Sequence, residues 1–306
     1  MRISTCVLLS VVVLPSMATA AGGGITSDWP AVRVLPVAPG HPALSHGAGP
    51  PDSLAIPPLP RPELPDTLPF HAGERLEFSI DYGFINAGHA TMGVEPLRTI
   101  AGVRCLELWT DARSNAFFST IYKVWDRSQS FLEPEEFVSW RYEKHQREGS
   151  YRNDQLIKFD RRENFARYDD GVEVSLPRFV QDELAAFYYF RTLQMEVGQK
   201  VLIDSHANRK NYALEVRVLR VETVEVPAGE YECIVIEPMI REGGIFSAKG
   251  RLTIWLTNDS RRMPVRMSTK IAVGSVTASL TDYRLSTHGE WHRGGEEAHG
   301  SREEAW

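Results

Sequence analysis

GRLTIWLTNDSRRMPVRMSTKIAVGSVTASLTDYRL, residues 250–285, decides the fold. Across residues 251–257 the side chains alternate, with Leu252, Ile254 and Leu256 on one face and Arg251, Thr253, Trp255 and Thr257 on the other, the period-two pattern of a strand. Asn258, Asp259 and Ser260 supply turn chemistry, an extended run returns over 263–271, and Gly274-Ser275 turns the chain again into 276–285. The stretch predicts a three-stranded antiparallel meander.

The same grammar recurs on its N-terminal side. Residues 75–81 set Leu76, Phe78 and Ile80 against Arg75, Glu77, Ser79 and Asp81, and a Gly-rich turn over 83–88 leads into 90–95. Further strands are expected at 103–110, 137–145, 154–160, 164–168, 200–204, 211–224 and 231–237, and residues 115–124 read as extended. Between 128 and 174 charges occur on both sides of the strands, which implies at least one solvated sheet face. One helix interrupts the pattern, QDELAAFYYFRTLQ at 181–194. Its Leu184, Phe187, Tyr188 and Arg191 form one track and Ala186, Phe190 and Leu193 the next, with acid at the N-terminal end where the macrodipole favours it. The expected architecture is all-β and mainly antiparallel, a curved β-roll or open barrel with this helix packed on the sheet or plugging it.

The ends of the chain differ from this core. Residues 1–20 read as a signal peptide: Arg2 precedes an apolar run over 7–14, too short to span a bilayer, and Ala18-Thr19-Ala20 offers small residues for cleavage before Ala21. An exported, periplasmic product without a transmembrane segment is expected. Twelve of the nineteen prolines crowd into the leader at 21–69, which cannot bury enough surface to offset its ordering entropy and reads as a disordered, partly polyproline tether. The domain then runs over 70–285, followed by a charged tail at 286–306 expected to be disordered. Net charge is −6 with no basic block, which argues against nucleic acid as a partner. Export leaves Cys105 and Cys233 in an oxidising compartment, where a bridge forms only if their strands become neighbours; otherwise both are buried thiols.

An ordered series of short motifs carries a family resemblance: Phe70-x-x-Gly73-Glu74-x-Leu76, Asn86-Ala87-Gly88, Gln181-Asp182 with Phe187-Tyr188-Tyr189-Phe190-Arg191, Glu225-Val226-Pro227-Ala228-Gly229, Ile254-Trp255-Leu256-Thr257, Pro264-Val265 and Gly274-Ser275. In this order and spacing the chain resembles the bacterial domain-of-unknown-function family 3108 over about 70–285. The resemblance implies an exported envelope protein with a β-roll or open-barrel fold and brings no established activity.

No motif of chemistry stands out. A nucleophile elbow G-x-S-x-G does not occur, and Ser275 after Gly274 reads as a turn serine. Asp204-x-His206 places two ligand types on one strand face without the third and fourth that zinc requires, and no metal or other cofactor is implied. Asp182, Glu183 and Arg191 read as a capped helix start with one ion pair rather than an acid–base set. Aromatics surround more than half of the 181–194 helix. Tyr188, Tyr189 and Trp255 could therefore line the mouth of the roll and hold an apolar ligand, with Arg191 anchoring an anionic head group; the alternative makes them all core. Two functions follow: a non-catalytic envelope module binding an apolar or glycan ligand or a partner protein, or a hydrolase acting on envelope polymers. A cleft bearing a close carboxylate pair would favour the second.

Overall fold

The computed structural model describes residues 64–242, 245–246, 252–270, 274–286 and 292–293. An eight-strand meander comes first: β1 (Arg75–Tyr82), β2 (Ile85–Ile100), β3 (Val103–Ser114), β4 (Val124–Glu133), β5 (Val138–Glu148), β6 (Tyr151–Asp160), β7 (Phe165–Tyr168) and β8 (Glu173–Ser175). A short helix, α1 (Ala116–Ile121), sits between β3 and β4, and α2 (Glu183–Thr192) follows β8. A second meander then runs through β9 (Lys200–Ala207), β10 (Lys210–Val226), β11 (Gly229–Glu242), β12 (Ile245–Phe246), β13 (Leu252–Thr257), β14 (Pro264–Lys270), β15 (Ser275–Arg284) and β16 (His292–Arg293). Pairing of β1 with β15 joins the meanders into one sheet, ordered β8-β7-β6-β5-β4-β3-β2-β1-β15-β14-β13-β11-β10-β9, with every ladder antiparallel. The meander read from 250–285 is β13-β14-β15.

The sheet curls without closing. Register shifts at Glu77/Phe78, Ile80/Asp81, Glu95/Arg98, Phe131/Leu132, Val218/Arg220 and Trp255/Leu256 add the local twist that bends long strands. Its two free ends are latched by side chains instead of a ladder. Tyr168 Oη on β7 and His206 Nε2 on β9 are 2.8 Å apart, Arg209 N–H donates to the same Tyr168 oxygen, and Asn211 Nδ2 donates to the Ser175 carbonyl. His206 Nδ1 is 2.7 Å from Asn211 Oδ1, an acceptor, so Nδ1 donates there, Nε2 accepts from the Tyr168 hydroxyl, and both ring nitrogens serve the seam.

Inside the curl lies α2, all ten of its residues buried. Asp182 caps it, accepting from the N–H groups of Leu184 and Ala185 at 2.9 Å each. The helix therefore plugs the roll, its ordered turns beginning two residues later and ending two earlier than the 181–194 pattern. Residues 115–124 are not extended: Asn115 accepts from Phe118 N–H as an N-cap and starts α1, because that local bond outcompetes an aromatic-rich strand. Of the two readings open for the cysteines, the structure has the buried thiols. Cys105 on β3 and Cys233 on β11 are buried free thiols, and five strands of the sheet separate them, far beyond the reach of a bridge. Within the charged tail, His292 and Arg293 pair with Tyr283 and Asp282. The segment expected to be a signal peptide, 1–20, and nearly all of the Pro-rich stretch at 21–69 fall outside the described residues.

Candidate functional site

The helix and its surroundings account for three of the four residues expected at a ligand mouth. Arg191 is buried and its guanidinium forks onto Glu74, at 2.6 and 2.8 Å, while also donating to the carbonyls of Pro69, Arg261 and Arg262. It lies over the rings of Phe70 and Tyr188, at 5.1 and 5.4 Å. All three guanidinium nitrogens are engaged inside the protein, and the side chain is removed from solvent, so Arg191 is not placed to meet a head group. Tyr188 is buried edge-on to Phe70 at 4.9 Å and donates to the Gly93 carbonyl; Tyr189 is buried against Phe137 at 5.1 Å.

Trp255 sits elsewhere. Ile254 and Leu256 face the core, so strand alternation turns Trp255 to the outer face, where its indole N–H donates to Glu222 at 2.6 Å and Arg266 lies over the ring. The four residues do not converge on one mouth: the helix aromatics pack inward, and the sheet itself separates them from Trp255.

A polar network occupies the inner face of β3, β4 and β5. Across these strands Thr110 pairs with Ser128 and Ser128 with Lys144, and one row away Ala112 pairs with Asp126 and Asp126 with Gln146. Lys144 Nζ and Tyr142 Oη both donate to Glu183 Oε2 on α2, at 3.0 and 2.9 Å, and Ser130 donates to the capping Asp182. The network thus pins the start of α2 to the sheet. Two carboxyls remain. Burial first, and then the neighbouring Asp126 charge, pushes Glu148 up to about 8. Asp126 Oδ2 meets no N–H or hydroxyl donor, and burial raises this carboxyl too. Asp182 is raised to about 6, chiefly by burial.

These raised values have a sign. The folded state holds the Glu148 proton more tightly than the unfolded state, so the stability it contributes is complete below about 4.5 and is lost as pH rises through about 8. Asp182 acts in the same direction, complete below 3.8 and lost through about 6. Glu148→Gln removes the ionisation while keeping a hydrogen-bonding side chain. In urea titrations the variant should match the wild type near pH ~5 and exceed it by on the order of 2 kcal/mol near pH ~9. Parallel stabilities across that range would mean that Glu148 titrates normally.

The antiparallel register brings the β1–β2 turn, α1 and the β5–β6 turn to one end of the roll. Asn115 Nδ2 donates to the Asn86 carbonyl at 2.7 Å and Gly149 N–H to the Lys123 carbonyl at 2.8 Å, tying the three together. Large apolar side chains stand in solvent there: Phe84 at 107% relative exposure, Ile85 at 54%, Phe117 at 63% and Ile121 at 72%. Beside them a cleft of about 240 Å³ is lined by Lys123, Trp125, Arg147, Gly149 and Arg152. Arg147 is bound bidentately by Asp154, whereas Lys123 and Arg152 have no carboxylate partner among the described residues. Trp125 donates to Asp111 and carries Arg113 over its ring. Such an arrangement can take up an apolar body and an anionic group together.

Sequence reading missed this end. A usable signal was present: Phe84 and Ile85 directly follow the turn glycine Gly83, where turn chemistry favours polar residues, and Phe117 and Ile121 sit four apart behind the N-cap Asn115.

The fold and its surfaces define an open antiparallel β-roll plugged by one helix, with an apolar and cationic rim at one end. The chain belongs to the family described as Protein of unknown function (DUF3108), whose model matches residues 77–281, from β1 to β15. No curated protein matches the sequence. Among solved structures it is similar to a β-barrel-like protein of the domain of unknown function DUF1849 from Brucella abortus, at 8% identity and TM-score 0.46, with 69% of this chain and 96% of that chain covered. A DUF1089 family protein from Pseudomonas aeruginosa matches at 11% identity and TM-score 0.33, covering 60% of this chain and 90% of that one. A Bacteroides fragilis protein described as exported, with a YmcC-like fold, matches at 12% identity and TM-score 0.26, covering 70% of this chain and 96% of that one. Among the described residues no helix is long and apolar enough to cross a membrane.

Proposed function

We propose that the protein is an exported, periplasmic, non-catalytic binding module that engages an apolar or amphiphilic partner at the α1 end of the roll. Support for export comes from the positive, apolar and small-residue order of positions 1–20. Support for binding outside the roll comes from one observation above the others. Helix α2 is buried along its whole length, while four large apolar side chains stand exposed together at one end. The hydrolase reading rests on the Asp126–Glu148 carboxyl pair, but both groups are buried on the inner face, out of reach of a polymer unless the roll opens.

The test uses an amphiphilic anion, 8-anilinonaphthalene-1-sulfonate, as probe. Natively folded protein should enhance its fluorescence saturably, and Phe117→Ser combined with Ile121→Ser should remove most of that enhancement with the near-UV dichroism unchanged. Enhancement that ignores the rim substitutions, or none from the wild type, would count against the proposal.

A further inference from the structure

We infer that the α1 end docks on an anionic bilayer surface, a deepening that rests on the binding reading above. The shape of the apolar groups points to a fluid partner. Phe84 stands at the tip of a two-residue hairpin turn and Phe117 on a separate short helix, so the exposed rings project from two different elements rather than from one continuous face. Protruding rings are accommodated by a medium that flows around them, as the acyl boundary of a bilayer does.

The charges stand where phosphate head groups would meet them. Lys123 lies just past the Tyr122 C-cap of α1 and Arg152 is the second residue of β6, both exposed and both without a carboxylate partner among the described residues, so their field is left for an external anion. Trp125 lines the same cleft, an amphipathic ring of the kind that settles at head-group depth. Exposed apolar tips beside cations and an indole match an anionic interface in chemistry. The inward side of this end carries the buried Asp126 and Glu148 carboxyls, behind the sheet and away from the lipid face.

Flotation with vesicles tests the inference on the full mature chain. Protein should rise with vesicles of equal phosphatidylcholine and phosphatidylglycerol, and about tenfold less with phosphatidylcholine alone, the difference shrinking as salt is added. Phe84→Ser with Phe117→Ser should lower flotation about tenfold, since both rings are solvent-exposed and their loss leaves the fold intact. Lys123→Glu with Arg152→Glu should abolish the preference for the anionic vesicles. If the wild type stays at the bottom of the gradient with the mixed vesicles, or if the serine pair floats as well as the wild type, bilayer docking is overturned. Rim-dependent enhancement of the anilinonaphthalene probe in that same protein would then leave a binding module for a soluble amphiphile or a protein, whereas failure in both assays would remove the binding reading too.

Discussion

Glu74→Ala should lower the stability of the fold by about 3–5 kcal/mol, the cost of stranding a buried guanidinium without its carboxylate. Glu74 precedes β1, and Arg191 lies near the end of α2, more than a hundred residues on; the pair is bidentate and almost wholly removed from solvent. Removing the carboxylate leaves Arg191 with only the carbonyls of Pro69, Arg261 and Arg262 to offset its desolvation. Joint replacement by Glu74→Leu and Arg191→Met should recover most of the loss, because apolar groups of similar volume do without the charge altogether. Urea unfolding of the three variants measures this. A cost below about 1 kcal/mol for the single change would place the pair at a solvated surface and undo the plugged-roll description.

Tyr189→Ala and Trp255→Ala should part company. The Tyr189 ring is buried against Phe137 inside the roll, and its truncation should cost about 3–5 kcal/mol through lost contacts and a residual cavity. Trp255 is half-buried on the outer face, held by Glu222 and overlaid by Arg266, and its loss should cost about 1 kcal/mol. Equal costs for the two would mean that they share an environment, which their opposite faces of the sheet forbid.

Much of the fold was legible because its signals are local. Alternation at Leu252, Ile254 and Leu256 marks which face of β13 is core, and the Asp182 cap marks where α2 begins. The motifs that carry the family resemblance turn out to hold the architecture rather than chemistry. Glu74 and Phe70 receive Arg191, Gln181 bridges to Ser205 on β9, and Gly274 takes the positive φ of a turn. At Gly88 a Cβ would stand 2.1 Å from the Arg113 carbonyl oxygen of the neighbouring strand, so only glycine permits that approach. An ordered series of such residues identifies a fold while saying little about function.

The site was less legible, for two physical reasons. Aromatic crowding on α2 suggested surplus rings for a ligand, but a sheet curled around a helix surrounds all its sides, and single-chain periodicity cannot reveal that second wall. The rim is assembled from Phe84, Phe117, Lys123 and Arg152, brought together by strand register across several turns, so no contiguous motif announces it. The inner polar network was half visible as charge on both sides of the 128–174 strands. The outer side, with Arg141, Glu143, His145 and Arg147 half-exposed, agrees with the expected solvated face, while Lys144, Gln146 and Glu148 on the inner side are buried, Lys144 against Glu183 at the start of the helix.

The central claim is that the helix fills the roll and that binding happens at the α1 end. Amide hydrogen exchange of the protein, with and without the anilinonaphthalene probe, tests it most directly. The account predicts that α2 is slow to exchange in both states, and that the probe slows exchange at residues 83–86, 115–125 and 149–152. Probe-dependent change confined to 183–192, with the rim unaffected, would mean that the helix opens to admit ligand into the roll and would contradict it.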